Sequence, residues 1–226
     1  VKETSAIAKF KVADQENTYF LAWTTTPWTL PSNVILSVNA KETYAKAKYQ
    51  DYYVIMAEAL MDSVLGEGNY EVVERVKGAD LEYVKYEPLF DFQPNGEDFK
   101  GYFMTCDDYV TLTDGTGIVH TAYAYGEDDY RVCKKYGVTF YQNVDTNGHL
   151  NELAGPFKGL FVKDADPVVL KYMEENGSLF AALPFEHNYP FCWRCDTPLL
   201  YYARSTWFIE MTKLRDRLVA NNRTIN

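Results

Sequence analysis

The chain has 226 residues, of which 47% are hydrophobic and 16% aromatic, a composition typical of a globular protein that buries a real core. Its formal net charge of −10 argues against autonomous nucleic-acid binding, because affinity for a phosphate backbone comes largely from lysine and arginine. No apolar run approaches the roughly 20 residues of a membrane-spanning helix, and the first residues do not form a secretory signal. We therefore expect one large cytoplasmic domain with no membrane attachment.

Alternating apolar and polar residues predict two strands at the start of the chain, over 6–12 and 18–23, joined by a polar turn at 14–17. The second strand leads into three threonines, and Pro27 and Pro31 prevent it from simply continuing. The hydroxyls therefore lie where a strand opens into a loop, a position that can present side chains to a ligand. The same patterns predict six further strands, at 34–38, 44–49, 52–56, 70–76, 102–106 and 117–122.

Helices are fewer than strands in this pattern. They are predicted over 57–65, 127–136, 167–175 and 208–220. Asp166 can cap the third of these helices, and Pro167 suits its first turn. Many strands with few helices indicate an α+β fold with a β-barrel-like core and a few peripheral helices.

The four cysteines are too sparse in a chain of this length to form the disulfide framework of a secreted protein. Cys192 and Cys195 have the CxxC spacing that suits zinc, and His187 is a candidate third ligand. Structural zinc needs four ligands and the chain has no second CxxC, so at most a zinc half-site is expected. The alternative is a turn that carries two reduced thiols.

Three separated blocks of sequence carry most of the functional information. The first is 23–33 (WTTTPWTLPSN), the second joins 115–120 (GTGIVH) to 126–130 (GEDDY), and the third is 189–199 (YPFCWRCDTPL). Together they resemble the isoleucyl-tRNA synthetases, specifically the editing domain inserted into the catalytic core of these class I enzymes. The valyl and leucyl enzymes are similar here but usually place arginine at the third threonine, so Thr26 favours the isoleucyl branch.

The resemblance runs nearly end to end and implies two parts. Residues 1–184 resemble the β-barrel-like editing domain of the valyl, leucyl and isoleucyl enzymes. Residues 185–226, where aromatic, proline and cysteine content rises, resemble the junction that returns toward the catalytic core. Because the chain lacks an initiator methionine and both nucleotide-binding motifs of class I synthetases, we expect a piece of a longer enzyme. It would not aminoacylate, and ATP would bind only to the full-length protein.

The reaction that the resemblance implies is hydrolysis of the ester between a wrong amino acid, chiefly valine, and the terminal ribose of tRNA(Ile). One methylene is worth only about 1–3 kcal/mol in a hydrophobic pocket, a magnitude for which isoleucine and valine are the standard case. A second sieve must therefore admit valine and exclude isoleucine by size. Thr24, Thr25 and Thr26 suit its walls because β-branched side chains have restricted rotamers, and their hydroxyls can bind the ester or water.

Asp129 is the first candidate catalytic residue, since a fixed carboxylate can anchor the α-ammonium group of the ester. Its place in the first turn of a helix would help to keep it ionised. The alternative is that Asp128 and Asp129 merely decorate a helix N-terminus; the motif match favours Asp129. His120 ends a strand nearby and is expected to position water or ribose rather than to abstract a proton, the alternative being a structural histidine.

Further substrate contacts are implied for Asn33, Trp28, Gly115, Thr116 and Gly117. Asn33 could orient the substrate or simply form an Asx turn, and the two glycines would let the backbone approach a ligand. Tyr123 and Tyr125 stand where the family has other residues, which predicts a loop of different shape. The sequence shows no Ser/His/Asp set and no zinc-hydrolase motif, so water is the expected nucleophile and no cofactor is expected for editing.

The expected partners are the aminoacylated 3′ end of tRNA(Ile) and the remainder of the parent synthetase. Two other functions stay open at this stage. The acidic charge favours a module that binds the tRNA 3′ end without autonomous hydrolysis. The CxxC motif alone favours a structural connector supported by zinc.

Overall fold

Nine strands form one mixed sheet in the computed structural model, which describes residues 1–225. The strands are β1 (Lys2–Lys11), β2 (Thr18–Thr24), β3 (Ile35–Val38), β4 (Thr43–Tyr49), β5 (Tyr52–Ala57), β6 (Tyr70–Lys77), β7 (Met104–Cys106), β8 (Val119–Thr121) and β9 (Leu179–Glu186). Their order across the sheet is β6-β4-β5-β2-β8-β3-β7, and β1 pairs with both β2 and β9. The predicted α+β fold is confirmed, although over residues 1–225 the sheet does not close into a barrel.

The hairpin predicted at the start of the chain is confirmed. β1 and β2 pair antiparallel along 6–11 and 19–24. At the end of β2, Trp23 lies opposite Val119 of the parallel strand β8. A 3₁₀ helix over Pro27–Ser32 follows, because its leading proline cannot donate to a strand ladder and has a φ suited to a helix start. The threonine triplet therefore lies between β2 and this helix, beside β8.

Side chains on the two faces of β2 enter different parts of the core. Phe20 and Ala22 join the largest buried cluster, whereas Leu21 belongs to a second cluster. This alternation is the two-residue period of a strand. A third cluster packs Val132 of the second helix against Ile35 of β3. That contact holds the helix N-terminus near the end of β8.

Four α-helices lie outside the sheet in the described part of the chain: α1 (Met61–Leu65), α2 (Glu127–Tyr136), α3 (Val162–Glu175) and α4 (Met211–Asn222). α2 coincides with its predicted range and stops at Gly137, which adopts a φ of +64°. The helix predicted at 57–65 is divided into a 3₁₀ turn and α1. α4 buries none of its residues, and no helix within 1–225 is long and apolar enough to cross a membrane.

The predicted start of α3 is wrong. The helix begins at Val162, well before Pro167, because the apolar face that it buries begins there; the buried residues are Val162, Ala165, Val169 and Met173. Their spacing of three and four residues puts them on one side of the helix. Asp166 therefore caps nothing. Its Oδ1 instead accepts a hydrogen bond from the backbone N–H of Trp28 at 2.8 Å, which ties α3 to the 3₁₀ helix after the threonines.

Strand β9 is absent from the predicted elements. It pairs antiparallel with β1 at the edge of the sheet, with Pro184 opposite Thr4. An edge strand tolerates proline because one row of its N–H groups faces away from the ladder. Pro184 thus lies inside a strand, and the boundary between 1–184 and 185–226 stays a prediction.

Replacing Asp166 with asparagine should weaken the pH dependence of stability. Burial raises the pKa of Asp166 to about 7, so folding favours the protonated carboxyl and this contribution is lost as the pH rises through about 7. Between pH 5 and pH 8 we expect the parent chain to lose roughly 1–2 kcal/mol more unfolding free energy than Asp166→Asn, whose amide oxygen still accepts from Trp28. Urea unfolding measures the difference. Asp164→Asn, an exposed change in the same helix, is the control, and equal pH dependence of parent and Asp166→Asn would contradict the assignment.

Candidate active site

A pocket of about 220 Å³ opens where β2 ends, next to β8 and the start of α2. The residues that line it come from distant parts of the sequence and are Trp23, Thr24, Thr25, Thr26, Thr29, Val119, His120, Ala122, Tyr125 and Asp129. All the residues predicted to be catalytic are among them. A larger open cavity of about 630 Å³ lies beside Cys106 and Arg131 and contains none of them.

The threonine side of the pocket is held by hydrogen bonds between residues that are close in sequence. The backbone N–H of Thr26 donates to Oγ1 of Thr24 at 3.1 Å, and the two Oγ1 atoms lie 3.4 Å apart. Thr29, in the first turn of the 3₁₀ helix, donates its hydroxyl to the carbonyl of Thr26 at 2.8 Å. Because β-branched side chains also have few rotamers, this wall of the pocket is stiff.

His120 lines the pocket but is only 7% exposed. Its Nε2 lies 3.0 Å from Oγ1 of Thr29, and its Nδ1 lies 2.9 Å from Nδ2 of Asn33. Burial lowers the pKa of His120 to about 3, so the ring is neutral at physiological pH. Both ring nitrogens are engaged by protein groups, which leaves neither of them free to accept a proton from water. A positioning role for His120 remains a prediction.

Asn33 lies behind His120 and does not line the pocket. It is fully buried, and its Nδ2 also donates to the carbonyl of Ile35 at 3.0 Å. The hydroxyl of Tyr86 donates to its Oδ1 at 2.6 Å. The local bond to Ile35 is of the kind expected for an Asx-type turn. The side chain of Asn33 therefore contacts His120, Ile35 and Tyr86. It does not reach the pocket, where a substrate contact was predicted for it.

Asp129 is half-buried in the first turn of α2, and its Oδ1 accepts a hydrogen bond from the N–H of Ala122 at 2.7 Å. Burial raises the pKa of Asp129 to about 6, against the opposing effect of that hydrogen bond. Desolvation of the carboxylate is the largest effect on this pKa, and the contribution expected from the helix N-terminus stays a prediction. At pH 7 the group is still mainly ionised, but it is closer to its titration point than an exposed aspartate.

The side chains of the two adjacent aspartates point in different directions. Asp128 points outward and pairs with Arg131 at 2.9 Å, whereas Asp129 lines the pocket. Gly126 makes the inward position possible, because a Cβ at residue 126 would lie 2.2 Å from Oδ2 of Asp129. The φ of Gly126 is −166°, an ordinary extended conformation, so the need for glycine at this position comes from the contact with Asp129 and not from the backbone.

The remaining predicted contacts lie around the pocket rather than in it. Trp28 is buried and packs edge to face against Tyr125, with ring centroids 5.1 Å apart. Gly115 has a φ of +73° and lies so close to Trp23 that a Cβ would approach the indole to 2.7 Å. Thr116 is buried, and a Cβ at Gly117 would lie 2.4 Å from the Cβ of Ala57. Five lining residues were not among the predicted site residues: Trp23, Thr29, Val119, Ala122 and Tyr125.

The CxxC motif forms an exposed turn at a distance from these elements. The N–H of Cys192 donates to the carbonyl of Thr197 at 2.8 Å, and Sγ of Cys195 lies 3.1 Å from Oγ1 of Thr197. His187 bonds Glu3 through Nε2 at 2.8 Å. Within residues 1–225, no group of three or more His, Cys, Asp or Glu side chains could hold a metal ion. The zinc half-site predicted for the two thiols stays a prediction.

The whole chain aligns with isoleucine–tRNA ligases. It is 52% identical over 226 residues to the ligase of Clostridium novyi, covering 100% of this chain and 22% of that protein. The ligase of Clostridium acetobutylicum is 52% identical over 226 residues, with 100% and 21% covered. Isoleucine–tRNA ligase 2 of Bacillus thuringiensis is 47% identical over 225 residues, again with 100% and 21% covered. The chain thus spans about a fifth of the length of these curated relatives. No protein-family model matches it.

Solved editing domains of leucyl-tRNA synthetases share the fold. The GlLeuRS-CP1 crystal structure matches with a TM-score of 0.64 at 15% identity, over 81% of this chain and 100% of that chain. The P. falciparum cytosolic leucyl-tRNA synthetase editing domain matches with a TM-score of 0.60 at 11% identity, over 81% and 100%. The chain is therefore homologous over its whole length to a segment of the isoleucine–tRNA ligases, and it has the fold of the synthetase CP1 editing domains.

Proposed function

We propose that the chain hydrolyses the ester bond of mischarged valyl-tRNA(Ile). The observation that supports this best is Asp129, the one carboxylate among the described residues that line the pocket. A carboxylate fixed by the N–H of Ala122 can hold the α-ammonium group of an aminoacyl ester and orient the scissile carbonyl. In an aminoacyl ester, the carbon that bears the ammonium group is bonded directly to the scissile carbonyl carbon.

The walls of the pocket support size selection. Thr24, Thr26 and Val119 are β-branched, and Tyr125 is backed by Trp28 at a ring distance of 5.1 Å. Favourable contacts in a hydrophobic pocket distinguish two side chains that differ by one methylene by only about 1–3 kcal/mol. A stiff wall instead excludes the larger side chain by steric overlap. A pocket of about 220 Å³ with such walls suits an aminoacyl group as small as valine.

Water is the nucleophile in this proposal. Its oxygen attacks the ester carbonyl carbon, the bond between that carbon and the ribose oxygen breaks, and the ribose oxygen takes a proton. The hydroxyl oxygens of Thr24 and Thr26 accept a hydrogen bond from the attacking water. His120 is not the base, because both of its nitrogens are already hydrogen-bonded. A ribose hydroxyl of the substrate is the proposed proton carrier, and the step requires no metal or cofactor.

The remainder of the parent synthetase holds most of the tRNA in this proposal. A net charge of −10 repels a phosphate backbone at long range, and the chain spans about a fifth of its relatives' length. Only the aminoacylated 3′ end of the tRNA needs to reach the pocket. The proposed location of the reaction is the cytoplasm. ATP and a completed zinc site would belong to the full-length enzyme. The same charge supports a second candidate function, a tRNA 3′-end binding module that hydrolyses nothing when separated from its parent.

Deacylation of valyl-tRNA(Ile) at high enzyme concentration separates the two candidates. We expect the chain to release valine faster than isoleucine, and Asp129→Ala to slow the release at least 10²-fold, roughly the effect of losing substrate positioning. Asp128→Ala is the matched control, because it removes a neighbouring carboxylate that points to Arg131. Tight binding without release by the parent chain would favour the binding module. Equal loss in both variants would argue against a specific role for Asp129.

The pH dependence of editing should follow the ionisation of Asp129. Burial raises the pKa of Asp129 to about 6, and only the ionised form attracts the α-ammonium group. We therefore expect kcat/KM for valyl-tRNA(Ile) to rise with pH through about 6 and to level off above it, since kcat/KM reports the free enzyme. Asp129→Asn should show a low rate without this rise. A parent profile that is flat between pH 5 and pH 7 would contradict the assignment.

A further inference from the structure

A chain of hydrogen bonds runs behind the pocket from Tyr86 through Asn33 and His120 to Thr29. Its three links measure 2.6 Å, 2.9 Å and 3.0 Å. Tyr86 comes from outside every sequence block that carries the resemblance. It is 3% exposed and packs edge to face against Phe10, with ring centroids 5.4 Å apart.

One carbonyl group determines the orientation of the Asn33 amide. The carbonyl oxygen of Ile35 can only accept, and the near side-chain atom of Asn33 lies 3.0 Å from it. That atom must therefore be the amide nitrogen, Nδ2. The amide oxygen, Oδ1, then faces the hydroxyl of Tyr86, which is a donor because burial raises the pKa of Tyr86 well above its usual value.

This orientation determines the tautomer of His120. The second hydrogen of Nδ2 points to Nδ1 of His120, so Nδ1 must carry a lone pair. Since burial keeps the ring neutral, the single ring proton lies on Nε2. Nε2 therefore donates to Oγ1 of Thr29.

The same reasoning extends to the hydroxyls of the pocket. Thr29 accepts from His120 and uses its own hydrogen on the carbonyl of Thr26. In the 3.2 Å contact between Thr26 and Thr29, Thr26 must then be the donor. In the longer contact of 3.4 Å, Thr24 donates to Thr26. The oxygen of Thr24 thus meets a substrate as an acceptor.

We propose that Tyr86 is a positioning residue of the editing pocket, whose hydroxyl holds Oδ1 of Asn33 and thereby fixes His120 as the Nε2–H tautomer that orients the threonine hydroxyls. Its relevance to catalysis rests on the proposed function. Among the described residues, Tyr86 is the one donor to Oδ1 of Asn33. Its removal leaves a buried acceptor unpaired, so that the carbonyl of Ile35 alone orients the amide. The donor that keeps the proton of His120 on Nε2 is then held less firmly.

The test combines ¹⁵N NMR of the histidine ring nitrogens with single-turnover deacylation of valyl-tRNA(Ile). The chain has three histidines, and His120→Gln identifies the signals of His120. In the parent chain at pH 7 we expect a proton on Nε2 alone. Tyr86→Phe should give mixed tautomers and slow deacylation on the order of 10-fold, as expected for a small misplacement. Tyr102→Phe is the matched control, because its buried hydroxyl donates to Pro94 instead.

The outcomes distinguish this inference from the proposed function. A proton on Nδ1 in the parent, or parental tautomer and rate in Tyr86→Phe, would overturn the role of Tyr86. An inactive parent with the expected tautomers would instead remove the proposed hydrolysis and leave the hydrogen-bond assignment standing. If Tyr86→Phe does not fold, Asn33→Asp provides the second variant. It replaces the donor facing Nδ1 with an acceptor and should move the proton to Nδ1; retention on Nε2 would contradict the assignment.

Discussion

The hydrogen bond between His120 and Thr29 joins the two halves of the pocket. Thr29 belongs to the 3₁₀ helix that follows the threonine triplet, and His120 belongs to β8, yet their side chains meet at 3.0 Å. The contact is possible because Trp23 at the end of β2 pairs with Val119, the residue before His120. A buried hydrogen bond of this kind gains strength from low local polarity and is expensive to leave unmade. The shape of the site therefore depends on a core interaction, not on a surface loop.

Asp129, in contrast to His120 and Thr29, lies in an environment that disfavours its charged form. Its carboxylate lies where burial raises the pKa to about 6, although the backbone N–H of Ala122 donates to it. A group held near its titration point is less stable alone than beside a cation, so the free pocket favours an ammonium ligand. In the proposed function, the stiff threonine wall limits the size of the substrate side chain, and the carboxylate of Asp129 attracts the α-ammonium group that every aminoacyl ester carries.

Local sequence predicted much of the architecture and little of the support behind the site. Alternation located β1 and β2, and the prolines after Thr26 marked the end of the strand, because both effects act within a few residues. The start of α3 and the strand β9 depend on tertiary burial and on pairing with β1, which local patterns do not contain. The residues around the pocket were predicted from the family resemblance. Thr29, Gly126 and Tyr86 were missed because their importance lies in contacts with residues that no local pattern connects to them.

The most direct test is a crystal structure of the chain with a non-hydrolysable valyl-amide analogue of the terminal adenosine. If the pocket at the end of β2 is the editing site, the ammonium nitrogen should lie ~3 Å from the carboxylate of Asp129, with the valyl group against the threonine wall. An analogue bound in the cavity beside Cys106, or one whose ammonium group points away from Asp129, would contradict the account.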